Sequence, residues 1–334
     1  MDETRRLIIH PDFEETLREL SDKVNIPQYG QDQDSSNLQF PSEIGKLTEL
    51  EKISAYKVDP KSGSKHLSKY IFAAYDESWF KYSALEGTAF FTTHAVVISG
   101  KTDYLPTVLA TFNFYTRASS LAPSSKYIKH VDDIDVEFKR DLMRDKVGVL
   151  LDTVPDGFVL FVDGPLISGD LYTIMLDANK RFLEKNIIPI FFTKNSQSNI
   201  VTENIDSLKG KYNSDMHWLN EFLRPGNRSS FFRFVDQHNS KNTKAFCYMK
   251  AFESSPQRIE MHTDTYKKHI TQMPELIDLI AYLMFVQGDK KNPQLRPIAI
   301  AEKYARATKS ALNIKKYLKD ANITATVNET RFGG

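Results

Sequence analysis

Cysteine is nearly absent from this sequence, because Cys247 is the only one among 334 residues. A single thiol excludes a disulfide framework and any zinc or iron–sulfur site that needs several cysteines, which fits a reducing compartment. An excess of charge of one sign is lacking too, since 44 Lys and Arg residues against 43 Asp and Glu residues give a net charge of +1. Any binding of phosphate groups must therefore be local, because the chain has no overall positive charge to attract them.

Long hydrophobic runs are missing as well. The longest predominantly apolar stretch extends from Leu276 to Val286, which is shorter than the ~20 residues needed to span a bilayer. The first twenty residues, MDETRRLIIHPDFEETLREL, contain no apolar core of signal-peptide length. We therefore expect a cytoplasmic protein that has no association with a membrane.

Several common catalytic motifs are also absent. The eight histidines include no HExxH motif or similarly close pair of metal ligands. There is no GxSxG elbow, Walker A loop or GxGxxG fingerprint, and Cys247 lies in the apolar segment AFCYM, where a core residue is expected rather than a nucleophile. These absences leave a carboxylate-rich site, of the kind that holds hard divalent cations through oxygen ligands.

The middle of the chain alternates between strand and helix patterns. Three runs rich in β-branched and aromatic residues predict consecutive strands, and the next segment predicts helix, buried strand, helix and buried strand. The predicted ranges are 70–76, 89–99 and 104–116 for the first strands, Ile134 to about Asp152 for the helix, and then 157–163, 170–185 and 187–193. The order β-β-β-α-β-α-β indicates an α/β fold in which helices pack on a mixed sheet.

The N-terminal part is polar and less regular. Residues 11–25 predict a short amphipathic helix, and residues 29–43 predict a turn-rich connector. We therefore assign residues 1–60 to a helical arm with its connector, and residues 61–334 to the main domain.

The last third of the chain predicts further strands and helices. Strands are expected within 228–236, 243–253 and 257–263, and helices at 214–223, 274–287 and about 298–318. In the last helix we expect an inward face, which contains Ile300, Tyr304, Ala307, Ala311, Ile314 and Leu318 at helical spacing.

Two aspartates each follow an apolar strand. Asp76 ends YIFAAYD and Asp163 ends GFVLFVD, and a carboxylate at the C-terminal end of a buried strand lies where α/β sheets place their ligands. Either aspartate alone is better explained as the cap of a turn or helix. If the two strands are neighbours, however, two adjacent carboxylates favour a cation between them.

The helix from Ile134 offers a third acid. Asp145 falls within its apolar stripe, Asp141 lies at the edge of that stripe, and Glu137 lies further round. A carboxylate on a buried stripe is costly unless it is paired or bound to metal. We favour Asp145, and Asp141 and Glu137 remain alternatives.

A fourth acid, Glu302, lies in the first turns of the last helix. It precedes Arg306 by four residues, and such a pair is also common on exposed helix surfaces. The position of Glu302 in the sequence does not decide between a site residue and a surface residue.

Five segments together resemble a known family. They are FAAYDES (72–78), LFVDGPLI (160–167), IIPIFFTKNSQSNIV (187–201), CYMKAFESSPQRIEM (247–261) and RPIAIAEKYARA (296–307). In their order and spacing they resemble the NurA nucleases, which have a ribonuclease H-like fold and process DNA ends with the hexameric ATPase HerA. The resemblance extends from about Tyr70 to the last helix.

The resemblance implies a metal-dependent deoxyribonuclease that hydrolyses phosphodiester bonds with two Mn²⁺ or Mg²⁺ ions. Asp76 and Asp163 would hold or bridge the cations, and Asp145 and Glu302 would complete the ligands, with Glu302 standing where the family usually has His. Lys194 would contact a substrate phosphate, unless it is only an exposed loop lysine.

Partners and biological role also follow from the resemblance. It implies that the chain forms a homodimer and acts on DNA together with a HerA-like ATPase, in DNA repair or in defence against phage. The alternative is a catalytically inactive nuclease-like subunit that binds DNA or serves in assembly.

Overall fold

The computed structural model describes residues 45–99, 103–121, 128–166, 171–194 and 198–321, together with residues 323 and 326. The helix predicted at 11–25 and the connector predicted at 29–43 lie outside these residues. All of the described residues belong to one compact unit, and the division proposed at residue 60 stays a prediction.

A mixed sheet of twelve strands forms the centre of the described residues. The strands are β1 Gly45–Glu49, β2 Tyr56–Lys57, β3 Phe72–Ser83, β4 Thr88–Ser99, β5 Tyr104–Thr116, β6 Ile128–His130, β7 Val159–Asp163, β8 Ile188–Thr193, β9 Asn227–Arg228, β10 Phe232–Asp236, β11 Thr243–Lys250 and β12 Gln257–His262. Their order is β1-β10-β11-β12-β8-β7-β3-β4-β5-β6, and β9 joins β11 to β2. Strands β3, β7 and β8 are parallel, whereas β3, β4 and β5 form an antiparallel meander.

Helices cover both faces of this sheet. They are α1 Pro60–Lys65, α2 Ile134–Thr153, α3 Tyr172–Glu184, α4 Ile200–Asn204, α5 Asp215–Phe222, α6 Thr263–Lys268, α7 Met273–Gln287, α8 Arg296–Ala311 and α9 Ile314–Asp320. Helices α7 and α8 share one hydrophobic cluster with β7, β8, β11 and β12. Helices α2 and α3 share another cluster with the opposite face of β3, β7 and β8.

The apolar character of β7 follows from this double cover. Phe161 packs in the cluster with α7 and α8, whereas Leu160 and Val162 pack in the cluster with α2 and α3. A strand that is buried on both faces has a continuous run of apolar residues in its sequence, rather than alternating apolar and polar residues. The predicted order β-β-β-α-β-α-β is confirmed, with the short strand β6 added between β5 and α2. Among the helices of the described part of the chain, none has the length and apolar character that crossing a bilayer requires.

The end of β3 was predicted wrongly. This strand continues past Asp76 to Ser83, because its antiparallel pairing with β4 extends to the pair Ser83 and Thr88. Its parallel neighbour β7 ends at Asp163. Asp76 therefore lies inside a long strand, at the point where the neighbouring strand stops.

The last predicted helix is two helices with a different buried face. The chain leaves helical geometry after Ala311, and the side chain of Asn313 caps α9 by accepting a hydrogen bond from Lys316 N. In α8 the buried residues include Ala301 and Ala305, whereas Tyr304 is 39% exposed. The small side chains let α8 approach the sheet so closely that the main-chain oxygen of Ala305 accepts a hydrogen bond of 2.8 Å from Thr93 Oγ1.

Candidate functional site

Asp76 and Asp163 lie side by side on neighbouring parallel strands. The register pairs Tyr75 with Val162, so the next residue of each strand is an aspartate. Both aspartates point to the face that carries α8, because Tyr75 and Val162 pack in the cluster on the other face and side chains alternate along a strand. The adjacency that the sequence suggested for these two carboxylates is therefore present.

The environment of Asp76 disfavours its charged form. Its exposed fraction is only 7%, and burial, followed by the neighbouring carboxylates of Asp163 and Glu77, raises the pKa of Asp76 to about 7. Lys194 opposes this effect, and Glu302 adds to it. A buried carboxylate beside other carboxylates is stabilised when a cation is held between them.

Asp76 and Asp163 both line one cleft, which has a volume of about 560 Å³. Its lining combines carboxylates with basic, polar and aromatic side chains: Asp76, Glu77, Ser78, Trp79, Asp163, Lys194, Glu302, Arg306, Lys309 and Ser310. The structure thus brings together four of the five predicted site residues, namely Asp76, Asp163, Lys194 and Glu302.

Lys194 and Glu302 are paired within the cleft. Nζ of Lys194 lies 2.8 Å from Oδ2 of Asp163 and 3.8 Å from Oε2 of Glu302. Glu302 also forms an ion pair with Arg306 and accepts a hydrogen bond of 2.8 Å from Gln294 Nε2. The α8 carboxylate is therefore held in place by three side chains, of which Arg306 is the partner suggested by the sequence.

The three candidate acids of α2 are not among the described residues that line the cleft. Asp141 accepts hydrogen bonds from Tyr115 and Lys129 at 2.7 and 2.5 Å, and Glu137 pairs with Arg140. Asp145 acts on the opposite face of the sheet, where its charge is one of the minor causes that raise the pKa of Tyr75. The geometry therefore gives no support to an α2 acid in this cleft.

Helix α2 instead brings a lysine towards the two aspartates. The side chain of Lys146 is only 7% exposed, and its Nζ lies 3.4 Å from Glu77 Oε2 and 3.4 Å from the main-chain oxygen of Asp163. It also lies 4.8 Å from the ring centre of Tyr75. The sequence contained a signal for this residue, since Lys146 lies roughly 40° from Leu142 around the helix and hence within the apolar stripe.

The carboxylates fit a hard divalent cation in their chemistry, because oxygen donors are the ligands that such ions prefer. Within the residues that the structure describes, however, no three His, Cys, Asp or Glu side chains lie close enough together to hold a metal ion. The ammonium of Lys194 supplies positive charge between Asp163 and Glu302. Asp76 therefore fits the cation directly, whereas Asp163 and Glu302 would fit after Lys194 moves.

A second group of charges that the sequence did not reveal supports the loop after Asp163. Glu260 is fully buried, accepts a hydrogen bond of 2.5 Å from Leu166 N, and lies 3.0 Å from Arg258 Nε and 3.5 Å from Lys244 Nζ. Burial would raise the pKa of Glu260, but Arg258 and Lys244 outweigh burial and lower it. Since Arg258 also donates to Ser198 Oγ at 2.7 Å, this group ties two chain segments near the cleft to β12.

Comparison with known proteins agrees with this architecture. Residues 49–324 match the family described as NurA domain. The NurA nuclease from Sulfolobus solfataricus has a TM-score of 0.51 at 12% identity, over 80% of this chain and 88% of that chain. A NurA structure bound to dAMP and manganese has a TM-score of 0.39 at 8% identity, over 77% and 86%. An endonuclease V from Bacillus subtilis has a TM-score of 0.37 at 11% identity, over 80% and 87%.

No curated protein matches the chain in sequence. At these identities the solved structures show the fold alone, and the fold that the resemblance implied is confirmed by the similarity to the NurA nuclease from Sulfolobus solfataricus.

Proposed function

Because the chain belongs to the NurA domain family, we propose that it is a nuclease that hydrolyses phosphodiester bonds in DNA with the help of a divalent cation. One observation carries this proposal. Asp76 and Asp163 lie at the same level of adjacent parallel strands, on one face, in a cleft that also contains basic side chains. Carboxylates that hold a cation next to a phosphate-binding surface are what metal-assisted hydrolysis needs.

Asp76 and Asp163 would hold the cation, which we propose is Mn²⁺ or Mg²⁺, and Glu302 would join them after exchanging its contact with Lys194. When bound, such a cation polarises a phosphoryl oxygen and lowers the pKa of a water molecule. Released from Asp163, Lys194 would contact a phosphate of the substrate, as its ammonium group allows.

The wall formed by α8 is suited to the DNA backbone. Arg306, Lys309 and Ser310 line the cleft next to Glu302, and such side chains make most phosphate contacts in complexes with DNA. Trp79 borders the cleft through its main chain, and its ring packs on Phe138 of α2. Because Trp79 is still 48% exposed, the ring is accessible for stacking on an unpaired base at the edge of the sheet. This local set of charges agrees with a chain whose net charge is close to zero.

The partners and setting are also proposals, supported by family membership. We propose a cytoplasmic homodimer that acts on DNA ends together with a HerA-like hexameric ATPase. DNA repair and defence against phage are the two settings that fit such an activity.

Purified full-length protein tests the activity directly. Linear single-stranded and double-stranded DNA should be degraded with Mn²⁺ or Mg²⁺ and left intact with EDTA. Asp163→Asn should lower the rate at least ~100-fold, a loss of about 2.7 kcal/mol of transition-state stabilisation. Asp156→Asn is the matched control, because Asp156 is exposed and pairs only weakly with Lys185 at 3.5 Å. Intact DNA under all metal conditions, with and without the ATPase, would contradict the proposal.

The alternative is a non-catalytic module that binds DNA or serves in assembly. It is favoured by the ion pairs in the cleft, since Lys194 and Arg306 already neutralise Asp163 and Glu302. Calorimetric titration separates the two functions. Binding of Mn²⁺ that Asp163→Ala abolishes supports the nuclease, whereas DNA binding without any Mn²⁺ binding at millimolar concentration supports the module.

A further inference from the structure

The second half of α8 and the helix α9 contain a local excess of positive charge. No acidic residue occurs between Glu302 and Asp320. The basic residues in this interval are Lys303, Arg306, Lys309, Lys315, Lys316 and Lys319. Because the whole chain has a net charge of only +1, binding of phosphate groups requires a local concentration of positive charge, and this segment supplies one.

The fold places this segment along the part of β3 that extends beyond the cleft. Asp76 lines the cleft, and Phe80 lies four residues further along β3 on the same face, because side chains alternate along a strand. Nζ of Lys309 lies 3.5 Å from the main-chain oxygen of Trp79, and Nζ of Lys315 lies 5.8 Å from the ring centre of Phe80. The positive charge therefore continues from the wall of the cleft along β3.

Helix α9 is held against the same part of the sheet. Leu318 packs in a hydrophobic cluster with side chains from the end of β3. Lys315 and Lys319 are four residues apart and lie on one flank of the helix, whereas Tyr317, two residues from each, lies on the opposite flank. The flank with the two lysines meets β3 through Lys315, so Lys319 continues the positive surface by one helical turn.

Several of these cations are not neutralised by a carboxylate. Arg306 forms an ion pair with Glu302. In the part of the chain that the structure describes, however, no carboxylate lies within ion-pair distance of Lys303, Lys309 or Lys319. Their charge is therefore available to an anion that the chain itself does not supply.

Resting on the nuclease function proposed above, we propose that Lys309, Lys315 and Lys319 form a basic tract that binds backbone phosphates of the DNA strand outside the cleft. The distance from Asp76 to Phe80 along β3 is about 13 Å at ~3.3 Å per residue. A DNA strand with stacked bases covers this distance with about four nucleotides at ~3.4 Å each. Because phosphate contacts carry no sequence information, the tract binds a strand of sufficient length whatever its sequence.

The salt dependence of DNA binding tests this inference. Fluorescence anisotropy in the Asp163→Asn background measures binding of a labelled single strand of about 20 nucleotides without cleavage. Each phosphate contact on a single strand contributes about 0.7 to the slope of log K against log salt concentration. The double variant Lys315→Gln, Lys319→Gln should therefore lower the slope by about 1.4, which corresponds to about 25-fold weaker binding at ~0.1 M salt.

The double variant Lys61→Gln, Lys65→Gln is the matched control. Lys61 and Lys65 are also four residues apart on a short helix, α1, and both are exposed. No residue of α1 is among the residues that line the cleft. The same loss of charge at this place should leave the affinity for DNA and the salt slope unchanged.

The outcomes separate this inference from the proposed function. Unchanged affinity and slope in Lys315→Gln, Lys319→Gln, or an equal loss in the control variant, would overturn the basic tract and leave the nuclease intact. The expected loss of affinity, together with a wild-type protein that cleaves no DNA under any metal condition, would overturn the nuclease and leave the tract standing. A wild-type protein that neither binds nor cleaves DNA would overturn both.

Discussion

Nζ of Lys194 lies 2.8 Å from Oδ2 of Asp163. The residue proposed to contact phosphate is thus the counter-ion of a residue proposed to hold metal. Because one ammonium group cannot serve both roles at once, metal binding and the release of Lys194 towards substrate are coupled in this arrangement.

Lys194→Met should destabilise the metal-free protein, because it leaves Asp163 beside Asp76 without its partner. The loss should be about 1 kcal/mol for a partly exposed pair, or a decrease of roughly 1–2 °C in melting temperature for a chain of 334 residues. Saturating Mn²⁺ should restore most of the loss. Differential scanning fluorimetry in EDTA and in Mn²⁺ measures both effects. A deficit that Mn²⁺ leaves unchanged would contradict the coupling.

Glu302→Gln should lower the cleavage rate at least ~100-fold, which corresponds to about 2.7 kcal/mol. The amide keeps the size of the side chain and its place beside Gln294, so the melting temperature should stay within about 2 °C of the wild type. Single-turnover kinetics on a short labelled DNA strand measure the loss. Glu203→Gln, an exposed residue of α4, is the control. Normal cleavage by Glu302→Gln would show that Glu302 is a surface residue that takes no part in the reaction.

Trp79→Ala should weaken the binding of single-stranded DNA by about 10-fold, since stacking on an aromatic side chain contributes ~1–3 kcal/mol per base. Duplex DNA should be affected less, because its bases are already stacked. Fluorescence anisotropy in the Asp163→Asn background measures binding without cleavage. Trp79→Phe should retain most of the affinity, and Tyr317→Ala, which removes a side chain from a residue that is 62% exposed, should have no effect.

Glu260→Ala should lower the free energy of unfolding by about 3–5 kcal/mol, because it leaves Arg258 and Lys244 buried without their carboxylate. It also removes the acceptor of Leu166 N, which lies three residues after Asp163. Urea denaturation followed by circular dichroism measures the change. Glu221→Ala, at an exposed pair with His217, should cost less than ~1 kcal/mol. A similarly small loss for Glu260→Ala would contradict a structural role.

Cys247 should resist alkylation in the native protein. Burial raises the pKa of its thiol to about 12, so at pH 8 the reactive thiolate is scarce, and the buried side chain is not accessible to the reagent. Iodoacetamide labelling followed by mass spectrometry should modify Cys247 only after unfolding in urea. Rapid labelling without denaturant would show that the centre of the sheet opens locally.

The order of strands and helices could be predicted because its signals are local. The apolar runs that end at Asp76 and Asp163 identify strands covered on both faces, and the parallel pairing of those strands brings the two carboxylates together. The position of Glu302 in the cleft also has a local cause. Glu302 lies early in α8, and this helix packs on β3 and β4.

Features that depend on distant contacts could not be predicted. After Ile298, the buried residues of α8 are the small Ala301 and Ala305 rather than the larger residues of the predicted face, because the helix packs closely on β4. Lys146 is paired with Glu77 of β3, and Glu260 is paired with Lys244 of β11 as well as with Arg258 of its own strand. No spacing within the sequence encodes the partners that lie on other elements.

The close contact between α8 and the sheet gives residues outside the cleft control over its width. Ala301 and Ala305 are fully buried beneath the helix, and any larger side chain there would displace Glu302, Arg306 and Lys309 together. One substitution under the helix would therefore change the width of the cleft, while every residue that lines the cleft stays the same.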